Sequence, residues 1–168
     1  MYSYKAAIIT MSDKASQGER VDKSHEEIKI VIAELGFELA HYVIIPDEKD
    51  TLLRQFKLCV EDLGIDIVFT TGGTGIGPRD ITPDATLEFI DKELPGIPEY
   101  IRMKTSTTTP RSILSRAVAG VKNKTLILNL PGSPKGVHES LHSVKHVLTH
   151  ALGILTSREN ECGNEVQK

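Results

Sequence analysis

Four of the six residues from Gly72 to Gly77 are glycine, with Thr70, Thr71 and Thr74 beside or among them. The apolar run Ile65-Asp66-Ile67-Val68-Phe69 precedes them, and Pro78-Arg79-Asp80-Ile81-Thr82-Pro83-Asp84 follows. A buried strand that opens into a loop without side chains lets main-chain N–H groups approach an anion closely. The helix that follows adds the partial positive charge of its N-terminus. Gly72, Gly73, Thr74 and Gly75, with the Thr71 hydroxyl, are therefore expected to seat a phosphate-bearing ligand. The loop lacks the G-K-[ST] ending of a P-loop and does not follow G-x-G-x-x-G, so neither standard nucleotide fingerprint applies. A plain strand-to-helix turn needs one or two glycines, fewer than stand here.

Two acids could complete that chemistry. A carboxylate at a phosphate-binding rim repels its ligand unless a cation intervenes, and Mg²⁺ suits hard oxygen ligands together with phosphates. Asp80 is the first such acid. Asp84 is explained by the helix N-terminus alone, with Thr82 as N-cap and Pro83 at the first helical position. Asp47, in the turn Pro46-Asp47-Glu48, is either a turn acid or a second metal-binding or catalytic acid. Pro131-Gly132-Ser133-Pro134 is a second strand–glycine–helix junction, where Ser133 either caps a helix or contacts a ligand.

His138, His142, His146 and His150 recur every fourth residue. Histidines at i and i+4 can ligate zinc, but the row winds about 40° per step, so all four cannot meet one ion. A helix flank or a subunit interface is the expectation. Cys59 and Cys162 are the only cysteines and form no C-x-x-C, against a zinc ribbon or disulfide framework.

Short alternating elements must position these groups. Ala6 to Thr10 reads as a first strand, followed by a polar loop from Ser12 to Lys23. Ser24 with Glu27 reads as a capping box ahead of the stripe Ile28, Val31, Ile32 and Leu35, with Gly36 closing the helix. Glu38 to Ile45 is a second strand. Leu52, Leu53, Phe56, Val60 and Leu63 mark a second helix, closed by Gly64. Ile65 to Thr71 is a third strand, apolar enough to be covered on both faces. Leu87, Phe89 and Ile90 give the apolar side of the helix begun at Thr82, and Glu99 to Lys104 reads as another helix. Thr105 to Thr109 is a loop. Ala117 to Val121 and Thr125 to Leu130 form a hairpin around Lys122-Asn123-Lys124, and Val137 to Leu155 is a long amphipathic helix.

The fold class expected is α/β: a three-layer sandwich with a mostly parallel sheet, an antiparallel hairpin strand and helices on both faces. Ligands in such sheets bind beyond the carboxyl ends of the strands. The loops Met11 to Gly18, Pro46 to Glu48, Gly72 to Asp80 and Pro131 to Gly136 should then share one rim.

The chain has 168 residues and a net charge of −3, which suits a single domain over 1–156 with a polar tail over 157–168. A chain of this size hides about 70% of its unfolded surface on folding. Without a basic excess, general nucleic-acid binding is not expected, although Arg102, Lys104, Arg111 and Arg116 could form local basic spots. No apolar run reaches membrane-spanning length and the N-terminus runs straight into a strand, so a cytoplasmic protein with no membrane partner is expected.

Five segments together resemble the molybdenum-cofactor biosynthesis family, and within it the bacterial molybdopterin adenylyltransferase branch, over about Tyr4 to Thr156. The most specific is Thr70 to Gly75 followed by Arg79-Asp80-Ile81-Thr82-Pro83-Asp84-Ala85-Thr86. The others are Ser12 to Gly18 with Asp22, Pro46-Asp47, Leu114 to Gly120, and Leu130 to Lys135. The resemblance implies a homotrimer that uses Mg²⁺ and ATP to attach AMP to the terminal phosphate of molybdopterin, releasing pyrophosphate. The two acids on which that chemistry depends match Asp47 and Asp80, which would hold the metal. Ser12, Asp13, Ser115, Pro131, Gly132 and Ser133 are further candidates for substrate contact. A related branch keeps the glycine loop without the Arg-Asp-x-Thr-Pro-Asp-Ala-Thr continuation, and this chain has the full continuation. The rival readings are a non-catalytic molybdopterin-binding and delivery module, an interaction scaffold, and a general nucleotide hydrolase, the last disfavoured by the missing Walker lysine.

Overall fold

The computed structural model describes residues 3–19 and 21–157. Cys162 and the tail from 158 onward lie outside the described residues. The elements are β1 (Lys5–Met11), α1 (Asp13–Ser16), α2 (Ser24–Glu34), β2 (Glu38–Ile45), α3 (Lys49–Lys57), β3 (Ile67–Thr71), α4 (Thr82–Phe89), β4 (Lys92–Glu93), α5 (Gly96–Thr105), β5 (Ala119–Lys122), β6 (Thr125–Leu130) and α6 (Pro134–Leu155). A π-helical turn, Leu58–Asp62, extends α3, and a 3₁₀ turn, Pro110–Leu114, precedes β5.

One six-stranded sheet runs in the order β2-β1-β3-β6-β5-β4. β2, β1, β3 and β6 are parallel, while β5 is antiparallel to both β6 and β4. The period of two along β1 divides the core. Ala6 and Ile8 face a cluster with Ile28 and Val31 of α2, Ile101 of α5 and Leu141 and Leu148 of α6. Ala7, Ile9 and Met11 face the other cluster, with Leu52 and Phe56 of α3 and Ala85 of α4. Helices thus cover both faces, and all five residues of β3 are buried, as the unbroken apolar run demands. The expected three-layer α/β architecture is what forms.

Local details differ from the sequence reading. Ser24 and Glu27 make no capping box. Asp22 instead accepts hydrogen bonds from the Ser24 amide (2.8 Å) and hydroxyl (2.6 Å), and Glu27 pairs with His138. Thr82 is the first residue of α4 and not its cap, because its hydroxyl donates to the Gly72 carbonyl (3.0 Å). Leu87 is exposed on α4, whose buried side is Thr82, Pro83, Ala85 and Thr86. The short helix α1 arises where a loop was expected, and the two-residue strand β4 was not anticipated. Ser133, by contrast, caps α6 by accepting from the Gly136 amide (3.1 Å).

The chain leaves β1 to one side for β2 and returns to the other side for β3, so the loops after β1 and β3 diverge at a switch point. Their bases are stitched to the neighbouring strands: the Ser12 amide donates to the Ile45 carbonyl (3.0 Å) and the Gly72 amide to the Leu130 carbonyl (3.1 Å). The carboxyl ends of all four parallel strands therefore share one rim.

Candidate active site

The glycine loop has its carbonyls almost wholly committed to the protein. The Gly72 oxygen accepts from the Thr82 hydroxyl, the Gly73 oxygen from the Thr82 amide (3.1 Å), and the Thr74 oxygen from the Arg116 amide (2.8 Å). The Gly75 oxygen accepts from Arg116 Nε (2.9 Å) and the Gly77 oxygen from the Asp80 amide (3.0 Å). The amides of Gly73, Thr74 and Gly75 have no protein acceptor among the described residues. Three consecutive N–H donors are thus left free to meet an anion.

Glycine is needed here for two reasons. Gly72 and Gly73 adopt φ of 97° and 64°, the left-handed region. A side chain at Gly72 would collide with the Met11 carbonyl, and one at Gly73 would stand 2.5 Å from the Thr82 hydroxyl.

Both predicted acids lie along this loop. Asp47 is half-buried just beyond β2, and a Cβ added to Gly73 would lie 3.4 Å from its Oδ1. Its Oδ2 accepts from the Asp13 amide (3.0 Å), and its own amide donates to Asp13 Oδ1 (3.0 Å). Arg79 clamps that Asp13 carboxylate through Nη2 (2.8 Å to each oxygen) and Nε (3.1 Å). Burial pushes the Asp47 carboxyl above the usual range. The Asp13 amide and Arg79 oppose that shift, and the negative charges of Asp13 and Asp80 reinforce it. Asp13 is held below its ordinary value by the Arg79 guanidinium and the Asp47 amide. Asp80 bends back so that Oδ2 accepts from the Gly77 amide (2.7 Å), and a Cβ at Gly75 or Gly77 would crowd that same oxygen at 2.8 or 2.9 Å. Asp47 thus stands at the Gly73 end of the loop and Asp80 at the Gly75–Gly77 end.

The loop separates two cavities. Asp47 and Asp80 both line the first, of about 600 Å³, together with Ser12, Thr71, Gly72, Gly73 and Gly132. Thr74, Gly75, Ser115, Pro131 and Ser133 line the second, of about 440 Å³, beside the apolar Ile76 and Leu114. Asp13 stands outside both linings, at the Arg79 clamp. Several candidate hydroxyls are committed to structure. Thr71 donates to the Pro131 carbonyl (2.8 Å), Ser12 caps α1 by accepting from the Ala15 amide (3.2 Å), and Ser115 accepts from the Ala117 amide (3.3 Å). Thr71 accordingly supports the β3–β6 end and has no proton left for a phosphate.

Mg²⁺ fits the donor set. Two carboxylates face one cavity beside unspent amides, and hard oxygens are what this ion prefers. Among the described residues no group of three or more His, Cys, Asp or Glu could hold a metal. Asp47 and Asp80 would supply two ligands, with phosphate oxygens and water to complete the shell.

The sequence reading names Arg79 and Asp22 within the resembling segments, Thr82 as a helix cap and Arg116 as a basic spot, but assigns none of the four to the site. Arg79 was signalled by its place beside Asp80. Asp22 gathers the Thr10 hydroxyl (2.6 Å), the Ser24 amide and hydroxyl, and the Tyr42 hydroxyl (3.3 Å). Burial works against ionisation of Asp22, but these hydrogen bonds overcome it and lower its pKa. Tyr42 is pushed up to about 12 by burial and by the Asp22 charge. Arg116 carried no local signal, because its partners lie more than 30 residues away. The four histidines are exposed along one flank of α6, as expected for a helix flank. His138 pairs with Glu27 (3.0 Å) and stacks on His142 at 4.0 Å between ring centroids.

A mostly parallel α/β sheet with an amide-rich loop and two acids at its switch point is the arrangement of the doubly wound class, in which ligands bind beyond the carboxyl ends of the strands. Residues 7–150 match the family model described as "Probable molybdopterin binding domain". The chain belongs to that family. It is 38% identical to the molybdopterin adenylyltransferase of Helicobacter pylori strain J99 over 92% of this chain and 89% of that protein. It is likewise 38% identical to the molybdopterin adenylyltransferase of Escherichia coli K12, over 90% of this chain and 81% of that one. Among solved structures, the molybdopterin biosynthesis enzyme MoaB from Thermus thermophilus is 47% identical, with a TM-score of 0.86 over 92% of this chain and 97% of that one.

Proposed function

We propose that this chain is a molybdopterin adenylyltransferase. It transfers AMP from ATP to the terminal phosphate of molybdopterin and releases pyrophosphate, a step in molybdenum cofactor biosynthesis. Curated relatives of that name at 38% identity over most of the chain support this reading. So does the observation that carries it: three consecutive unspent amides between two carboxylates, on a loop that separates two cavities. A delivery module would need the cavities but not the acid pair.

In the proposed reaction an oxygen of the molybdopterin phosphate attacks the α-phosphorus of ATP. The new O–P bond forms as the α-phosphorus bond to the bridging oxygen of pyrophosphate breaks. No covalent bond to the protein is required, so catalysis consists of positioning and charge neutralisation. The amides of Gly73, Thr74 and Gly75 seat non-bridging phosphate oxygens as charge moves onto the leaving group. Asp47 and Asp80 would hold Mg²⁺, which when bound neutralises phosphate charge and orients the leaving pyrophosphate. Arg79 and Lys23, which line the same cavity, add positive charge for a polyanion. Ser115 and Ser133 are offered as contacts in the second cavity.

A cytoplasmic homotrimer is the form proposed. No helix among the described residues is long and apolar enough to cross a membrane.

The test is pyrophosphate release from Mg-ATP with and without molybdopterin. Release that depends on molybdopterin is expected, and its absence would refute the reading. Asp80→Asn keeps an oxygen that can accept from the Gly77 amide but removes the charge. Its turnover should fall about 100-fold or more while its melting temperature stays near that of the wild type.

A further inference from the structure

We propose that Arg116 is a positioning residue for this reaction, setting the register of the glycine loop and the Asp80 carboxylate without touching substrate. The inference rests on the adenylyltransferase reading above. It is carried by a convergence of hydrogen bonds. The Arg116 amide donates to the Thr74 carbonyl (2.8 Å), Nε to the Gly75 carbonyl (2.9 Å) and Nη2 to the Asp80 carbonyl (2.6 Å). One residue thus occupies main-chain oxygens both within the glycine loop and at the acid that follows it.

The guanidinium is itself held. Asp84, in the first turn of α4, accepts from Arg116 Nη1 (3.1 Å) and Nη2 (3.0 Å). This fork is planar and bidentate, a geometry that lysine cannot reproduce. The same helix reaches the other end of the loop, because Thr82 binds the Gly72 and Gly73 carbonyls. α4 therefore grips the loop at both ends, directly through Thr82 and through the Asp84–Arg116 pair at the Thr74–Asp80 end.

The consequence concerns the groups left over. With the Thr74 and Gly75 oxygens taken by Arg116, the Thr74 and Gly75 amides remain the unspent main-chain groups of those two residues. The Asp80 carboxylate rests on the Gly77 amide inside the span that Arg116 closes. Releasing the guanidinium frees the Gly75 and Asp80 carbonyls to rotate, and carbonyl oxygens repel phosphate where amides attract it. Arg116 lines neither cavity, so its effect must pass through the loop.

The experiment compares the full-length wild type with Arg116→Ala, Arg116→Lys and Asp84→Ala. Each is assayed for molybdopterin-dependent pyrophosphate release across a Mg²⁺ series and, separately, for binding of inorganic pyrophosphate with Mg²⁺ by calorimetry. Misplacement of reacting groups by about 1 Å costs on the order of 100-fold, so kcat of Arg116→Ala should fall about 10- to 100-fold. Half-saturation in Mg²⁺ should rise several-fold and pyrophosphate should bind more weakly. Arg116→Lys should recover only part of the loss, and added guanidine should partly restore Arg116→Ala. Asp84→Ala leaves the carbonyl contacts in place and should give a smaller loss in the same direction. Adding it to Arg116→Ala should bring no further loss. If Arg116→Ala unfolds, the Lys and Asp84 variants carry the test alone. Folded variants with unchanged kcat, Mg²⁺ dependence and pyrophosphate binding would overturn the inference while leaving the adenylyltransferase reading intact. A wild type without molybdopterin-dependent release would instead refute that underlying reading.

Discussion

Asp47 shows how one side chain acquires two opposed requirements. It is half-buried beside two other carboxylates, which raises its pKa, yet a cation ligand must be ionised. In the proposed reaction its deprotonated form is the active one, so activity should be lost as pH falls. The acid limb of kcat/KM should lie above the ordinary aspartate value of 3.8 and shift to lower pH as Mg²⁺ is raised. A profile measured at several Mg²⁺ concentrations checks this, and a limb that Mg²⁺ does not move would separate Asp47 from the metal. Gly73 is constrained from the other side. Its φ of 64° and the Thr82 hydroxyl 2.5 Å from a notional Cβ leave no room for alanine. Gly73→Ala should cost about 1–3 kcal/mol of stability by urea unfolding. The same change should weaken ATP binding measured by calorimetry, because the Gly73 amide belongs to the proposed phosphate seat.

At the scale of elements, α6 divides cleanly into a core face and a solvent face. Val137, Leu141, Val144, Leu148 and Leu152 are buried at helical spacing against the sheet and α2, while the histidine row is exposed. Leu141→Ala should therefore cost about 2–5 kcal/mol by chemical denaturation, and His142→Ala no more than about 0.5 kcal/mol. Among the described residues the His142 ring bonds only the His138 carbonyl of its own helix (3.0 Å) and stacks on the His138 ring, contacts made largely in water. α4 has a different task. Its N-terminal turn buries Thr82, Pro83 and Ala85 and lends Thr82 and Asp84 to the glycine loop. The Arg116 contact holds the Asp84 carboxyl below its usual value. Asp84, read from sequence as a helix-terminus acid, is thus also the anchor of Arg116.

For the molecule as a whole, the sheet order places the loops after β1, β2, β3 and β6 on one rim, and the site is their sum. Ile76, Met103 and Ile113 are 73%, 58% and 64% exposed, apolar surface that self-association would cover. Sedimentation equilibrium of the full chain should give three times the 18.5 kDa chain mass. A monomer mass at micromolar concentration would remove the trimer from the proposal.

The sequence alone determined what depends on local pattern. The boundaries of β2 and β6, the stripe of α6 and the glycine-rich turn after β3 were all legible, because side-chain period and backbone freedom are properties of neighbouring residues. The motif resemblance also singled out Asp47 and Asp80, which line one cavity in the fold. Tertiary structure decided what depends on distant partners. Asp22 took the capping role expected of Ser24 because Thr10 and Tyr42 meet it there. Thr82 turned from cap to clamp because the Gly72 carbonyl lies within reach of its hydroxyl. The Thr71 hydroxyl went to the Pro131 carbonyl 60 residues away. Arg116 became the loop's anchor through contacts that no spacing announces. Hydrogen bonds are directional and short-ranged, so which donor satisfies which carbonyl is decided only when the folded chain brings them within about 3 Å.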